Sequence, residues 1–286
     1  MNTTNDTHPL ASTSPAQSVQ AADRQENILI REESNGVVTL TMNRPLQFNA
    51  LSEALLTALQ QQLDTIAHEP DVRCVILAGA GKAFCAGHDL REMRERPSLA
   101  AYKDLFTQCS RVMLSIQTLP VPVIARVHGI ATAAGCQLVG SCDLAVASTS
   151  ARFAVSGINV GLFCATPSVA LTRNVSMKRA FEMLVTGKFI DAATAADWGL
   201  INAAVAPENL DDTIAQLVGQ ILAKSPAAIR YGKAMVYRQK QMPLPDAYAY
   251  ASEVMATNMM EEDAAEGIDA FLQKRSPTWR ASVTKG

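Results

Sequence analysis

The chain has 286 residues, of which 48% are hydrophobic, and this length is ample for a sizeable buried core. The formal net charge is −2, and lysine and arginine are scattered along the sequence. The clusters of basic residues that are typical of nucleic-acid-binding or membrane-surface proteins are therefore absent from the sequence. We therefore expect neither a nucleic acid nor a membrane as a partner.

Residues 1–25 are rich in threonine, serine, asparagine, glutamine and alanine, with almost no large apolar side chains. A segment of this composition cannot bury itself, so we expect a disordered N-terminal tail. Its first arginine is Arg24, and it carries Asp6 and Asp23, which is unlike a mitochondrial transit peptide. The six cysteines form no zinc-binding pattern and are predicted to be buried free thiols. Together these features predict a cytoplasmic protein without a metal site.

Short apolar runs alternate with amphipathic stretches through the first two thirds of the chain. The predicted strands are 28–31, 37–42, 74–77, 121–127, 144–147 and 201–205, and the predicted helices are 52–67 and 99–117. Ser52 is a suitable N-cap for the first helix. Because the strands are continuous apolar runs rather than alternating ones, they predict an α/β fold whose sheet is covered on both faces.

Beyond residue 207 the pattern becomes wholly helical. The predicted helices are 211–223, 226–239, 246–260 and 262–274. No linker-like composition separates them from the preceding part, so we expect them to pack onto it. The predicted division is a tail at 1–25, an α/β core at 26–206 and a C-terminal helical region at 207–286.

Two loops rich in small residues, 79–90 and 127–138, follow core strands. The first fails the dinucleotide pattern, because Phe84 stands at the third glycine position, and fails the Walker pattern, because Ala83 follows Lys82. The second leads into a predicted helix, whose first amides favour negative charge. Two such loops are suited to present two backbone N–H groups to one oxygen, as in an oxyanion hole. Tight strand–helix packing is the alternative reason for their small residues.

Several motifs, in a consistent order from about residue 28 to 275, resemble the enoyl-CoA hydratase/isomerase, or crotonase, superfamily. They are NRPLQFNAL at 43–51, AFCAGHDL at 83–90, VHG at 127–129, CDLA at 142–145, LVTG at 184–187, AADWGLI at 195–201 and EGIDAFLQKR at 266–275. The GHDL variant at 87–90 and VGLFCATP at 160–167 look most like the branch called enoyl-CoA hydratase domain-containing protein 3.

The resemblance implies the crotonase (ClpP-like) fold, a spiral of ββα turns followed by a C-terminal helical trimerisation region. It also implies assembly as trimers, or as hexamers built from two trimers. The implied activity is that of a lyase or isomerase of fatty acid metabolism that processes acyl-CoA thioesters. No cofactor is expected, because CoA is part of the substrate.

Carried over motif by motif, the oxyanion-hole donors are the backbone N–H groups of His88 and Ala134. Arg91 is a plausible partner for a CoA phosphate, and Phe271 and Lys274 match residues that cover the adenine end of CoA, in some members from a neighbouring subunit. The full set of implied CoA-binding residues is Ala50, Ala86, His88, Asp89, Leu90, Arg91, Ala134, Phe271 and Lys274.

The chain departs from the family where ordinary hydratases hold two glutamates. Gln137 and Gly157 align with those positions, and Ala165 aligns with the acid of some isomerases. Gln137 can orient a water or a substrate group through its amide but cannot exchange a proton near neutral pH. We therefore expect conventional hydration to be impaired.

No obvious replacement for the two carboxylates stands out in the sequence. The ring of His88 is expected to pack or to be solvated, while Asp89 and Glu92 are expected to cap a helix or to form salt bridges. The leading hypothesis is an enzyme that stabilises a thioester enolate, and the alternative is a catalytically degenerate acyl-CoA-binding protein. A nucleotide-binding oxidoreductase is disfavoured by the failed glycine patterns.

Overall fold

The computed structural model describes residues 27–280, so the tail predicted at 1–25 lies outside the described residues. The strands are β1 Leu29–Ser34, β2 Val37–Met42, β3 Cys74–Gly79, β4 Ala83–Cys85, β5 Val123–Val127, β6 Ile130–Thr132, β7 Leu144–Ser148, β8 Arg152–Ala154, β9 Ile190–Asp191 and β10 Ala203–Val205. The helices are α1 Glu53–Ile66, α2 Leu90–Glu95, α3 Leu99–Thr118, α4 Ala134–Ser141, α5 Ala165–Asn174, α6 Met177–Thr186, α7 Ala192–Asp197, α8 Leu210–Leu222, α9 Pro226–Gln239, α10 Leu244–Met259 and α11 Glu262–Leu272.

Six strands form a large sheet in the order β1-β2-β3-β5-β7-β10, in which only the β1–β2 pair is antiparallel. Its parallel register places Leu77 beside Ala125 and Ala125 beside Ala145. One face of this sheet belongs to the main apolar core, and the other is covered by α8. The predicted coverage on both faces is confirmed, and it explains why the strands are continuously apolar.

A smaller sheet, in the order β4-β6-β8-β9, stands beside the large one. Its strands are two or three residues long, and only β8–β9 pairs antiparallel. Phe84 of β4 and Phe153 of β8 are completely buried and anchor the small sheet in the main core. The loops that follow β4 and β6 are thereby held side by side.

Helix α1 is held against the core by its N-cap and by a row of buried leucines. The Ser52 hydroxyl accepts the backbone N–H of Leu55, which satisfies one of the free donors at the helix start, as predicted. Leu55, Leu59 and Leu63 recur at helical spacing on the buried face. Burying each such leucine contributes on the order of 1.5–3 kcal/mol, so this face holds α1 against the core.

Several element boundaries differ from the prediction for local reasons. The strand expected at 121–127 begins only at Val123, because Pro122 has no N–H for a sheet hydrogen bond. The first strand is longer than expected and ends at Ser34, just before the turn at Asn35 and Gly36. The prediction missed the small sheet, because runs of two or three residues show no periodicity.

After β10 the described elements apart from a short 3-10 turn are the helices α8 to α11. The side chains of Ser225 and Asp263 form a buried hydrogen bond of 2.5 Å that ties α11 to the start of α9. Within residues 27–280 no helix combines the length and the apolarity needed to cross a bilayer.

Candidate active site

A cavity of about 350 Å³, here called the central cavity, opens where the β4 loop, the start of α4 and the segment before α5 meet. Its wall consists of Ala86, His88, Leu90, Met93, Phe106, Ala133, Ala134, Ser156, Gly157, Val160, Leu162, Phe163, Cys164, Ala165, Thr166 and Pro167. Among these described lining residues none is aspartate, glutamate, lysine or arginine. The cavity therefore suits an apolar ligand portion that meets a few polar groups at one end.

The backbone of His88 is oriented by a short parallel bridge to Leu51. The Leu51 N–H donates to the Gly87 carbonyl at 2.8 Å, and the Asp89 N–H donates to the Leu51 carbonyl at 3.2 Å. Since alternate residues of an extended strand direct their amides to opposite sides, the His88 N–H points away from Leu51. It has no hydrogen-bond acceptor within residues 27–280.

The backbone N–H of Ala134 is the first amide of α4, so no carbonyl of that helix can accept it. It too lacks an acceptor in the described part of the chain. The preceding Ala133 has a positive φ of 51° and donates its own N–H to the Ala154 carbonyl at 3.0 Å. This backbone conformation is unusual for alanine and is the kind of strain that accompanies functional loops.

The two loops touch each other at Gly87. This glycine has a φ of +95°, and a Cβ atom added to it would lie 2.8 Å from the Cβ of Ala133 and 3.3 Å from the amide nitrogen of Ala134. A side chain at Gly135 would likewise collide with the carbonyl oxygen of Cys85. The small residues therefore allow the close approach of the loops, and both His88 and Ala134 line the central cavity.

The ring of His88 is buried against the same wall. It meets Phe106 edge-on, with 5.4 Å between ring centroids, and neither ring nitrogen has a hydrogen-bond partner among the described residues. Burial lowers the pKa of His88 to about 4, and the nearby Leu51 carbonyl opposes part of this effect. The expectation that the ring packs is correct, but the sequence did not reveal that both nitrogens lack partners.

Asp89 and Glu92 have structural roles, as expected. The Asp89 carboxylate caps α2 by accepting the Arg91 N–H at 3.1 Å and pairs with Arg44 at 3.0 Å, while Arg44 also donates to the Ala50 carbonyl. Burial opposes ionisation of Asp89, but the hydrogen bonds from Arg44 and the helix amides outweigh it and lower its pKa. Glu92 accepts the backbone N–H at the start of α1. Neither carboxylate lines the central cavity.

The two positions aligned with the hydratase glutamates differ in their surroundings. Gln137 is only 5% exposed, its Oε1 atom lacks a partner within the described chain, and it lies behind the cavity wall. Gly157 lines the cavity, but a Cβ added there would lie 2.5 Å from the carbonyl oxygen of Leu162. The chain path around Gly157 therefore leaves no room for a side chain.

Sequence reasoning missed two polar features of the wall. The hydroxyls of Thr132 and Ser156 are hydrogen-bonded at 2.7 Å, and the Cys164 sulfur accepts the Gly157 N–H at 3.3 Å. Burial raises the pKa of the Cys164 thiol, so it stays protonated at neutral pH. Nothing in the sequence signals these pairs, because their members lie 7 and 24 residues apart.

The implied CoA-binding residues fall into two groups. Ala86 and Leu90 line the central cavity, and Arg91 follows Leu90 as an exposed residue in the first turn of α2. Ala50 does not line it, but its carbonyl accepts a hydrogen bond from Arg44. Phe271 lines a different cavity of about 440 Å³ between α10 and α11, and Lys274 follows it after the end of α11. One copy of the chain does not bring Phe271 to the central cavity.

Known proteins resemble this chain over most of its length. The family model described as enoyl-CoA hydratase/isomerase matches residues 32–282. Enoyl-CoA hydratase domain-containing protein 3, mitochondrial, of Xenopus laevis is 43% identical over 255 residues, which cover 89% of this chain and 87% of that protein.

Two solved structures also match the chain. An enoyl-CoA hydratase of Mycobacterium smegmatis is 60% identical, with a TM-score of 0.88 and coverage of 89% of this chain and 99% of that one. Human enoyl-CoA hydratase domain-containing protein 3 is 42% identical, with a TM-score of 0.86 and coverage of 88% and 100%.

The expected cytoplasmic location is contradicted by these relatives, because the Xenopus, rat and human proteins are all named mitochondrial. The expectation relied on the acidic residues and late first arginine of residues 1–24, and composition alone does not define a targeting segment. Free buried thiols argue only against an oxidising compartment, so they do not support the cytoplasm in particular.

The predicted fold class and the similarity to the domain-containing protein 3 branch are both confirmed by these matches. The TM-scores of 0.88 and 0.86 show that this fold is shared with both solved structures. The chain belongs to the enoyl-CoA hydratase/isomerase family, with the crotonase fold.

Proposed function

We propose that this protein binds acyl-CoA thioesters in the central cavity and stabilises a thioester enolate with the N–H groups of His88 and Ala134. The observation that carries the proposal is that both amides lack an acceptor among the described residues and that His88 and Ala134 both line the central cavity. Donors that are oriented before the ligand arrives stabilise developing negative charge without reorganisation, which is the principle of an oxyanion hole.

The acyl group would occupy the apolar part of the cavity, between Met93, Phe106 and Leu162. The CoA portion of the bound ligand would then extend out of the cavity along Ala50, Ala86 and the segment from Asp89 to Arg91. Arg91 is exposed and free of ion pairs within the described chain, so it can meet a phosphate. No metal or separate cofactor enters this proposal, since the polarising groups are backbone amides.

The reaction would be of the enoyl-CoA hydratase or isomerase type, carried out without glutamates at Gln137 and Gly157. The second candidate is a protein that binds acyl-CoA without turnover. It is favoured by one observation, the lack of any carboxylate among the described residues of the cavity wall.

Binding is tested by calorimetry with butyryl-CoA. The matched ligand is S-butyl-CoA, a thioether that keeps the CoA and the chain but has no carbonyl oxygen. We expect butyryl-CoA to bind at least about tenfold more tightly, because only its oxygen reaches the two amides and each hydrogen bond contributes roughly 0.5–1.5 kcal/mol. No heat with either ligand at millimolar concentration would contradict the proposal.

Turnover separates the two candidates. A positioned general acid or base contributes about 10²–10⁴-fold, so hydration of crotonyl-CoA should be several orders of magnitude slower than in a relative with two glutamates. A panel of acyl-CoA thioesters followed by mass spectrometry would identify any substrate that is converted. Rapid hydration of crotonyl-CoA would contradict the expected loss of conventional hydratase chemistry.

The oligomer proposed here is a trimer or a hexamer. Met255, Met260, Phe271 and Leu272 are each more than 70% exposed in a single copy, which is more apolar surface than α10 and α11 would leave to water. A neighbouring copy could then bring Phe271 and Lys274 to the CoA of this one. A monodisperse monomer in light scattering would contradict this assembly.

A further inference from the structure

The direction of the His88 N–H is set by a hydrogen bond to the residue before it. The carbonyl of Gly87 and the N–H of His88 belong to one planar trans peptide group, so they point in opposite directions. The Leu51 N–H donates to that carbonyl at 2.8 Å. The position of Leu51 therefore determines where the His88 N–H points.

Leu51 ends a segment, Arg44–Leu51, here called the brace, that is bonded to the loop before β4. The side chain of Asn49 is completely buried, and its Nδ2 atom donates to the carbonyls of Ala80 and Ala83, both at 2.8 Å. Its Oδ1 atom accepts the Arg44 N–H at 2.9 Å. One side chain thus closes the brace on itself and joins it to the strand that leads to His88.

The guanidinium of Arg44 connects the two sides of the bridge between Leu51 and His88. It donates to the Ala50 carbonyl at 2.6 Å and to the Asp89 carboxylate at 3.0 Å. Ala50 precedes Leu51, and Asp89 follows His88. The Arg44 and Asp89 side chains are only 17% and 12% exposed, so salt screens this ion pair less than a surface pair. The planar guanidinium also fixes the angle between its two acceptors.

We propose that Arg44 is a positioning residue of the oxyanion hole, which holds the Leu51 N–H against the Gly87 carbonyl and so directs the N–H of His88. This inference rests on the proposed function, since it needs a thioester oxygen that accepts that N–H. Arg44 does not line the central cavity, so it acts through Leu51 and Gly87 rather than by touching the acyl group.

The backbone of the brace is in a conformation that needs such support. Phe48 and Asn49 have positive φ angles of 51° and 55°, which are uncommon for residues with side chains and persist where surrounding bonds hold them. The Phe48 carbonyl accepts the Ala86 N–H at 3.0 Å, so a shift of the brace reaches the β4 loop directly. Without the Arg44 guanidinium the brace should relax and turn the His88 N–H, and a hydrogen bond weakens steeply as its angle worsens.

The experiment compares the affinities for butyryl-CoA and for the thioether S-butyl-CoA by calorimetry. Arg44→Met removes both donors, whereas Arg44→Lys keeps a positive charge beside Asp89, which supports folding, but loses the planar fork. Arg96→Met is the matched control, because Arg96 is exposed, pairs with Glu53 at 2.7 Å and lies outside the cavity wall. Infrared spectra of bound butyryl-CoA with ¹³C at its carbonyl report the hydrogen bonds to the thioester oxygen.

We expect the preference for butyryl-CoA over S-butyl-CoA to fall about threefold or more in Arg44→Met, because a hydrogen bond to the thioester oxygen is weakened. The affinity for S-butyl-CoA should stay the same, since this ligand has no oxygen for the amides. Arg44→Lys should have an intermediate preference, and Arg96→Met should match the original protein. The carbonyl band should lie below that of free thioester in the original protein and move back towards it in Arg44→Met.

Full retention of the preference by both Arg44 variants would overturn the inference. An equal loss of affinity for the two ligands would overturn it too, because it would assign Arg44 a general role in the fold rather than one in directing the amide. Equal affinities of the original protein for butyryl-CoA and S-butyl-CoA would overturn the proposed function and the inference with it.

Discussion

Lys233 and His88 are both buried basic side chains, and the fold treats them in opposite ways. The Lys233 ammonium donates to the Ile116 and Val121 carbonyls at 2.9 and 2.8 Å and to Asp143 at 2.6 Å, so each of its protons is used. The His88 ring has no partner at either nitrogen. The chain thus satisfies the buried ammonium of Lys233 completely, whereas it leaves the buried imidazole of His88 without a hydrogen-bond partner among the described residues.

The partners of Lys233 come from separate parts of the chain. Burial lowers the pKa of Lys233, and the attraction of Asp143 opposes that effect. Asp143 also accepts the Val123 N–H at 2.7 Å, so it anchors the start of β5. This polar cluster joins α9 to the large sheet and is structural.

The largest effect is expected from breaking the Lys233 cluster. Lys233→Met should lower the free energy of unfolding by about 3–5 kcal/mol, because it leaves the Asp143 carboxylate buried and unpaired. Urea denaturation measures the change, and Lys178→Met is the exposed control. The double variant Lys233→Met/Asp143→Leu should recover part of the loss. A loss below about 1 kcal/mol in the single variant would show that the cluster is not structural in this sense.

A smaller effect is expected from His88 as the pH falls. Its folded pKa of about 4 lies below the unfolded value near 6.5, so between these values the unfolded chain binds the proton more strongly. The free energy of unfolding therefore has its full value above pH 6.5 and falls by up to about 3 kcal/mol as the pH decreases towards 4.

His88→Phe removes this titration and should flatten that part of the curve. Above pH 7 the variant should be at least as stable as the original protein, because two unpaired nitrogens are replaced by apolar ring atoms. Urea midpoints at several pH values between 4 and 8 measure both effects. Parallel curves for the two proteins would contradict the buried, unpaired state of the ring.

The smallest effect tests a polar pair inside the cavity wall. Ser156→Ala should cost about 1 kcal/mol, because the Thr132 hydroxyl, on a residue that is 8% exposed, loses its partner. The double variant Thr132→Val/Ser156→Ala should cost less than the two single changes together, as measured by thermal unfolding. Additive costs would show that the two hydroxyls do not interact.

Local sequence signals predicted the parts of the fold that depend on neighbouring residues. Val37–Met42 and Pro226–Gln239 have the expected bounds, since an apolar run and a helical pattern with Ser225 at its cap are readable from the chain itself. Strands of two or three residues are stabilised by partners far along the sequence, so β4, β6, β8 and β9 left no such signal.

The sequence predicted the features of the site that depend on small residues in the backbone loops. It did not predict the features that depend on side chains packed from distant parts of the chain. Small residues near Gly87 and Ala134 indicated two closely packed loops, and a Cβ added at Gly87 would indeed lie 2.8 Å from the Cβ of Ala133. The role of the His88 and Ala134 amides stays a prediction. The burial of the His88 ring depends on Phe106 from another helix, which no local pattern shows. The carbonyl of Leu162 that blocks a side chain at Gly157 is equally a product of the folded chain path.

Main-chain donors have a consequence for how such a site can evolve. The N–H group of residue 88 survives every substitution except proline, so its side chain can change without loss of the oxyanion hole. Position 88 can therefore accept acidic, basic or apolar side chains without loss of this donor. In a family with such a site, point mutations can replace the residue that transfers the proton, while the backbone donors of the oxyanion hole are kept.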